Sequence, residues 1–330
     1  MSIGAEQRYY MKLKAVYYYY EKDYTQTEIA QMLNVSRITL SKLLKEAREE
    51  GMVKIEIVDY RNVRQLLELE AQLKDRFGLL DVKVVDCLED DREEISRKLA
   101  VAGARYLDHI LRSGMRVGIA WGRTLEMMVD HLSENRTITG IEVDTLLGGA
   151  GTAGTNIQPN IIAQRLIEKY SGTGYIINAP YLCQTEELCQ AIKAEPHIAD
   201  VISRAQEADI TLVGIGEKPE LASGYDSGYR YTDEVLEDLL AHHAVGDICA
   251  NFFDIYGKLC DSSVCRRVVS IDISQLHKHK RVIAVAGGPN KVEAVLGALN
   301  GGYLHVLVTD KFTARQVLEL DRQLREGEHP

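Results

Sequence analysis

From residue 79 onward the chain alternates short runs of β-branched and aliphatic residues with longer stretches of helical periodicity, and no other feature restricts the fold so sharply. Residues 82–86, 115–121, 141–147, 175–178, 210–216, 282–286 and 304–310 predict strands. Residues 92–111, 124–132, 157–170, 186–206, 291–299 and 313–324 predict the helices that separate or follow them. A strand that reaches its parallel neighbour needs a crossover of a dozen or more residues, which a helix supplies. The expectation is therefore an α/β domain, a doubly wound, mostly parallel, Rossmann-like sheet with helices on both faces. Ligands of such sheets bind outside the carboxyl ends of the strands.

Glycines collect at those ends. The third strand runs into Gly148, Gly149, Gly151, Thr152, Thr155 and Asn156, and a later one into Gly287, Gly288, Asn290 and Lys291. Gly122, Arg123 and Thr124 make a third such turn, and residues 213–217 a fourth. Glycine lets the backbone approach an anion, and the helix that follows offers unpaired amides and partial positive charge. Tight strand–helix packing alone also selects glycine, but four turns on one edge, two with hydroxyl, amide or ammonium donors, point to a phosphorylated small molecule. No G-x-x-x-x-G-K-[ST] occurs, and the glycines do not follow the first strand as a dinucleotide fingerprint requires, so neither ATP nor NAD, and no cofactor, is expected. Asp254 is placed either to accept sugar hydroxyls or to organise a turn. Adjacent histidines on a helix face apart, so His242 and His243 predict no metal site, while His277 and His279 beside Lys278 and Lys280 read as a solvated basic patch.

The amino-terminal segment has a different grammar. Tyr10, Leu13, Val16, Tyr17 and Tyr20 predict a helix over 7–21. Thr25 with Glu28 forms a capping-box signature ahead of a short helix ending near Leu33, and Asn34 suits a left-handed turn. Ser36 caps a second helix that buries Leu40, Leu43, Leu44 and Ala47 and ends at Gly51. Two short helices joined by a tight turn make a helix-turn-helix, and residues 52–58 alternate as its wing. Arg37, Thr39 and Ser41 can meet base edges or phosphates, and Lys42 and Lys45 can neutralise phosphates, with Thr25, Gln26 and Ser36 at the helix starts beside them. A helical hairpin that merely packs or dimerises would show the same apolar pattern without the basic face.

Charge allows this only locally. The chain has 330 residues and a net charge of −10, yet residues 1–60 carry nine basic and nine acidic side chains. The body holds the whole excess of acid. Six scattered cysteines without a C-x-x-C, no apolar leader and no long apolar run together predict a cytoplasmic protein with free thiols. The expected organisation is a winged helix-turn-helix over 1–58, a linker helix over 59–78 and an effector-binding and oligomerisation domain over 79–330, with the amphipathic pattern over 61–77 fitting a core helix as well as a linker that packs on a partner chain.

Residues 19–36, 119–123, the Gly148–Gly149 pair, 244–249, 252–257, 285–291 and 301–310 together resemble the bacterial SorC-type transcription regulators, including their deoxyribonucleoside-regulator branch, along nearly the whole chain. The resemblance implies a sequence-specific regulator of a carbohydrate-utilisation operon that assembles as dimers or tetramers on operator DNA with repeated half-sites. It implies a phosphorylated sugar as effector, touching Gly149, Thr152, Thr155, Asp254, Gly288 and Lys291. One branch can place a lysine before the glycine pair and capture an aldehyde as an imine; Leu147 stands there in this chain, so the effector is expected to bind without a covalent bond. The alternative is a sugar-phosphate isomerase or lyase with an accessory DNA module. Isomerisation needs a positioned base, and beside the 148 loop only Asp144 and, more remotely, Asp254 offer one.

Overall fold

The computed structural model describes residues 5–53, 63–133, 137–149, 157–221 and 232–327. The chain divides into two compact units, Met1–Arg61 and Asn62–Pro330.

In the first unit α1 (Ala5–Val16) continues into a single π-helical turn, Tyr17–Glu21, and is followed by α2 (Gln26–Met32) and α3 (Arg37–Glu49). Local chemistry sets the boundaries of α2 and α3. Thr25 and Glu28 cap each other, Asn34 takes φ 52°, Ser36 accepts from the amide of Thr39, and Gly51 closes α3 at φ 75°. Ala15, Ile29, Ala30, Leu40 and Leu44 form its core. Arg8 and Lys12 of α1 bind Glu46 of α3 and Glu50 at its C-cap, fixing the two helices side by side. Of the expected wing, residues 54–58 lie outside the described residues, and Met52 and Val53 are not in a strand.

The second unit opens with α4 (Val63–Phe77). Of the two readings of this segment, a core helix and a linker helix that packs on a partner chain, the packing observed is that of a core helix: Leu69 and Leu73 are buried in the main core, and Arg76 binds Asp321 at 2.8 Å. Then come β1 (Asp81–Val85), α5 (Arg92–Ile110), β2 (Arg116–Ile119), α6 (Arg123–Asp130), β3 (Glu142–Thr145), α7 (Pro159–Tyr170) and β4 (Thr173–Tyr175). The chain continues through α8 (Glu186–Ala194), α9 (Pro196–Gln206), β5 (Ile210–Val213), α10 (Asp233–Ala241), β6 (Gly246–Ile248) and β7 (Asn251–Phe253). It ends with β8 (Val282–Val285), α11 (Val292–Asn300), β9 (Val306–Asp310) and α12 (Lys311–Glu326).

Seven strands form one sheet in the order β1-β9-β8-β5-β2-β3-β4, every neighbouring pair parallel. β5, β8 and β9 are buried along their whole length, as strands covered on both faces must be. From β2 the chain steps outward through β3 and β4, then returns to β5 on the other side and steps outward through β8 and β9. The order therefore reverses between β2 and β5, and a crevice opens at their carboxyl ends. The helix expected over 186–206 is two helices, because Pro196 cannot donate into a continuous ladder and starts α9 afresh. The antiparallel hairpin β6–β7 is the one departure from the parallel plan among the described strands.

Candidate functional site

The crevice at the β2/β5 reversal is a pocket of about 180 Å³. Three of the four glycine turns line it: Gly122, Arg123 and Thr124 after β2, residues 214–217 after β5, and Gly287 with Lys291 after β8. Arg92 from the start of α5, Ile157 ahead of α7, and Asp247, Cys249 and Phe252 from the hairpin complete the wall. Lys291 Nζ donates to the carbonyl of Ile215 at 2.6 Å, which ties the third turn to the second.

Helix caps show what the pocket is open to. α5, α8, α10 and α12 begin with Asp91, Thr185, Thr232 and Asp310, each accepting from backbone amides of its own first turn. α6 and α11, which open at the pocket, begin at Gly122 and Lys291 without a side-chain cap. α7 and α9 also lack one, but each has a proline at its first position (Pro159 and Pro196), where the missing N–H reduces the need. Uncapped first-turn amides and three basic side chains (Arg92, Arg123 and Lys291) converge on one cleft, the arrangement that suits an anion.

The same cleft holds acid. Glu217 is buried and its carboxylate lies 3.7 Å from Arg92. Asp247 accepts from the amide of Ala250 at 2.9 Å, and a Cβ on Gly216 would overlap its carboxylate, so that glycine is there to seat the acid. Burial pushes the Asp247 carboxyl above its ordinary range, opposed by the nearby Lys291 charge. The Cys249 thiol is likewise raised, by burial and by Asp247. Cationic groups and amides for a phosphoryl group, with carboxylates for hydroxyls, give the pocket two chemical ends. Sequence reasoning chose Asp254 over Asp247; the missed signal was Gly216, whose lack of a side chain matters only if a carboxylate crosses from another strand.

The remaining expected residues are placed as follows. Asp254 does not line the pocket; its Oδ1 accepts from the amides of Tyr256 and Lys258, both at 2.9 Å, so it organises the turn after β7. The Gly288 amide is spent on Asp310 and Thr313 at 2.9 and 2.8 Å, which corrects its expected role as an anion donor. Asn290 is exposed on the turn and outside the pocket wall. Gly148 and Gly149 follow β3 on the same sheet edge. A Cβ on Gly148 would strike the Ala179 carbonyl, and Gly149 exchanges hydrogen bonds with Ala179 and Tyr181 at 2.9 Å, so close packing accounts for this pair. Tyr181 in turn meets the pocket residue Trp121 edge to face at 4.6 Å between ring centroids. Gly151, Thr152, Thr155 and Asn156 lie outside the described residues. Of the expected basic patch, His277, Lys278 and Lys280 are exposed, but His279 is corrected: it is buried with Nδ1 at 2.8 Å from Thr211 Oγ1, and burial lowers its pKa.

On the first unit, α3 presents Arg37, Ile38, Thr39, Ser41, Lys42, Lys45 and Arg48 to solvent. Thr25 is committed to Glu28, its hydroxyl donating at 2.7 Å, and Ser36 Oγ lies 2.8 Å from Thr39 Oγ1. Those hydroxyls serve helix starts first. Gln26 and Arg37 share a surface depression with Tyr19, Tyr20 and Tyr24.

Comparison with known proteins decides the family. A sugar-binding domain profile matches residues 61–319, and a Crp-like helix-turn-helix profile matches residues 13–76. The chain belongs to the SorC family of sugar-binding transcription regulators. It is 32% identical over 308 residues to the deoxyribonucleoside regulator of Bacillus subtilis (strain 168), covering 93% of this chain and 97% of that one. It is 32% identical over 309 residues to the sorbitol operon regulator of Klebsiella pneumoniae, with the same coverage of 93% and 97%. The crystal structure of the full-length Klebsiella pneumoniae regulator superimposes with a TM-score of 0.72 at 31% identity, covering 94% of this chain and 98% of that one. As a SorC family member the chain is a sugar-responsive, DNA-binding transcription regulator and not an enzyme. Among the described residues no helix is long and apolar enough to cross a membrane.

Proposed function

We propose that this SorC-type regulator controls a carbohydrate-utilisation operon from the cytoplasm, and that its effector is a phosphorylated sugar or polyol held without a covalent bond in the pocket at the β2/β5 reversal. The observation that carries this is the pair of uncapped helix starts, α6 and α11, facing the pocket together with Arg92, Arg123 and Lys291. A phosphoryl group would bring negative charge to both helix starts, where a neutral sugar would bring hydroxyl oxygens alone. Asp247 and Glu217 would accept from the hydroxyls, and Leu147 supplies no amine for an imine.

The working unit is a homodimer or tetramer, because two recognition helices must meet half-sites about one helical turn apart or a multiple of it. An effector that prefers one arrangement of protomers changes that spacing. A coupling of about 1–3 kcal/mol would change operator affinity about 5–150-fold.

The test is a thermal-shift panel of pentose, hexose and polyol phosphates, each beside its unphosphorylated parent. A ligand of the native state at about 100 times its Kd stabilises by about 2.7 kcal/mol. Stabilisation confined to phosphorylated compounds supports the reading; an equal response to an unphosphorylated parent contradicts it.

A further inference from the structure

We infer that Ile38 reads the 5-methyl group of a thymine in the operator, a contact that adds to the polar readout by Arg37 and rests on α3 being the helix that enters the major groove. Ile38 is 84% exposed, more than any other large apolar side chain described. Its helix has four apolar positions that build the core, Leu40, Leu43, Leu44 and Ala47, and Ile38 is not among them. A single exposed aliphatic residue is unremarkable on most surfaces. The position is what matters here. Ser41, Lys42 and Lys45 follow Ile38 at i+3, i+4 and i+7 and share its face, Arg37 precedes it, and all are exposed.

Isoleucine is not chosen there for the helix, since a β-branched residue loses side-chain freedom in a helical turn. The second residue of a recognition helix lies in the part that contacts base edges. Across the major groove the four ordinary bases present donors and acceptors, and the thymine C5-methyl is the apolar exception. A branched aliphatic side chain at that place has one complementary partner. Thr39, the next residue, has its hydroxyl engaged with Ser36 and its amide bonded to the Ser36 side chain, so it is turned to the helix start.

The experiment uses the full-length protein. Its preferred duplex is selected from a random library, and each thymine is then replaced singly by deoxyuridine, which removes only the methyl group. For the wild type, one thymine in each half-site should weaken binding about fourfold when its methyl is removed, the equivalent of one buried methylene. Ile38→Ala should bind the thymine and deoxyuridine duplexes equally, and Ile38→Val should keep part of the difference. The exposed position predicts unchanged melting for both variants, which is measured alongside. A wild type that selects a sequence yet is indifferent to every deoxyuridine overturns the inference and leaves the DNA-reading assignment standing. The same deoxyuridine penalty in Ile38→Ala overturns it too. Absence of any selected sequence would bring down the DNA-reading assignment itself and this inference with it.

Discussion

Asp247→Asn should make the protein more stable at neutral pH while crippling effector binding. The wild-type carboxyl is half-buried against Gly216, and its removal from water raises its pKa above the unfolded value. A carboxyl with a raised folded pKa contributes stability that is complete below the unfolded pKa, about 3.9, and is lost as pH rises through the folded value. Asparagine keeps an oxygen that can accept from the Ala250 amide, matches the shape beside Gly216 and never ionises. The melting temperature of Asp247→Asn should therefore exceed the wild type at pH 7, by about 2–4 °C for each kcal/mol gained in a unit of this size. The difference should shrink as pH falls towards 4. Binding should move the other way: a hydrogen bond to a charged acceptor is worth about 1.5–3 kcal/mol, so affinity for the phosphorylated effector should fall about 10–150-fold. Melting curves from pH 4 to 8 and titration calorimetry on both proteins supply the readouts. A variant less stable at every pH and unchanged in affinity would refute the reasoning, because the carboxylate would then be a structural group.

Lys291→Gln should weaken a phosphorylated ligand about 10–150-fold and its unphosphorylated parent far less, as calorimetry on the pair would show, since only the first has charge for the ammonium at the start of α11. In gel shifts Arg37→Ala should lose about 1–3 kcal/mol at one base pair and relax the preference there, whereas Lys45→Ala should weaken all duplexes alike and lower the salt slope by about 0.9. His279→Gln should flatten the acid limb of the stability profile. Its pKa is lowered by burial, so the wild type holds the contribution above the unfolded pKa and loses it as pH falls through the folded one, visible as a melting temperature that falls more steeply below about pH 6.5 in the wild type than in the variant.

What the sequence made legible was local or periodic. Capping signals at Thr25, Ser36 and Gly51 and the strand–helix alternation act over a few residues, and the structure follows them closely. What it hid depends on contacts between distant segments. Nothing near Asp254 reveals that its carboxylate will turn back on residues 256 and 258, and nothing near Asp247 reveals the space left by Gly216. Gly288 looked like an anion donor until Asp310, 22 residues away, took its amide. His279 looked solvated because its neighbours are lysines, yet it packs against Thr211, 68 residues away. Ile38 could be read from the helical wheel as a residue off the core face, but only its exposure in the folded unit singled it out.

The central claim is that a phosphorylated ligand in the β2/β5 pocket changes how tightly the helix-turn-helix holds its operator. Operator affinity measured by fluorescence anisotropy, with and without a saturating sugar phosphate found in the thermal panel, tests this most directly. The account predicts a change of at least about fivefold in the wild type, with the Lys291→Gln response displaced to about 10–150-fold higher ligand concentration. Equal operator affinity with and without a ligand that demonstrably occupies the pocket would contradict it.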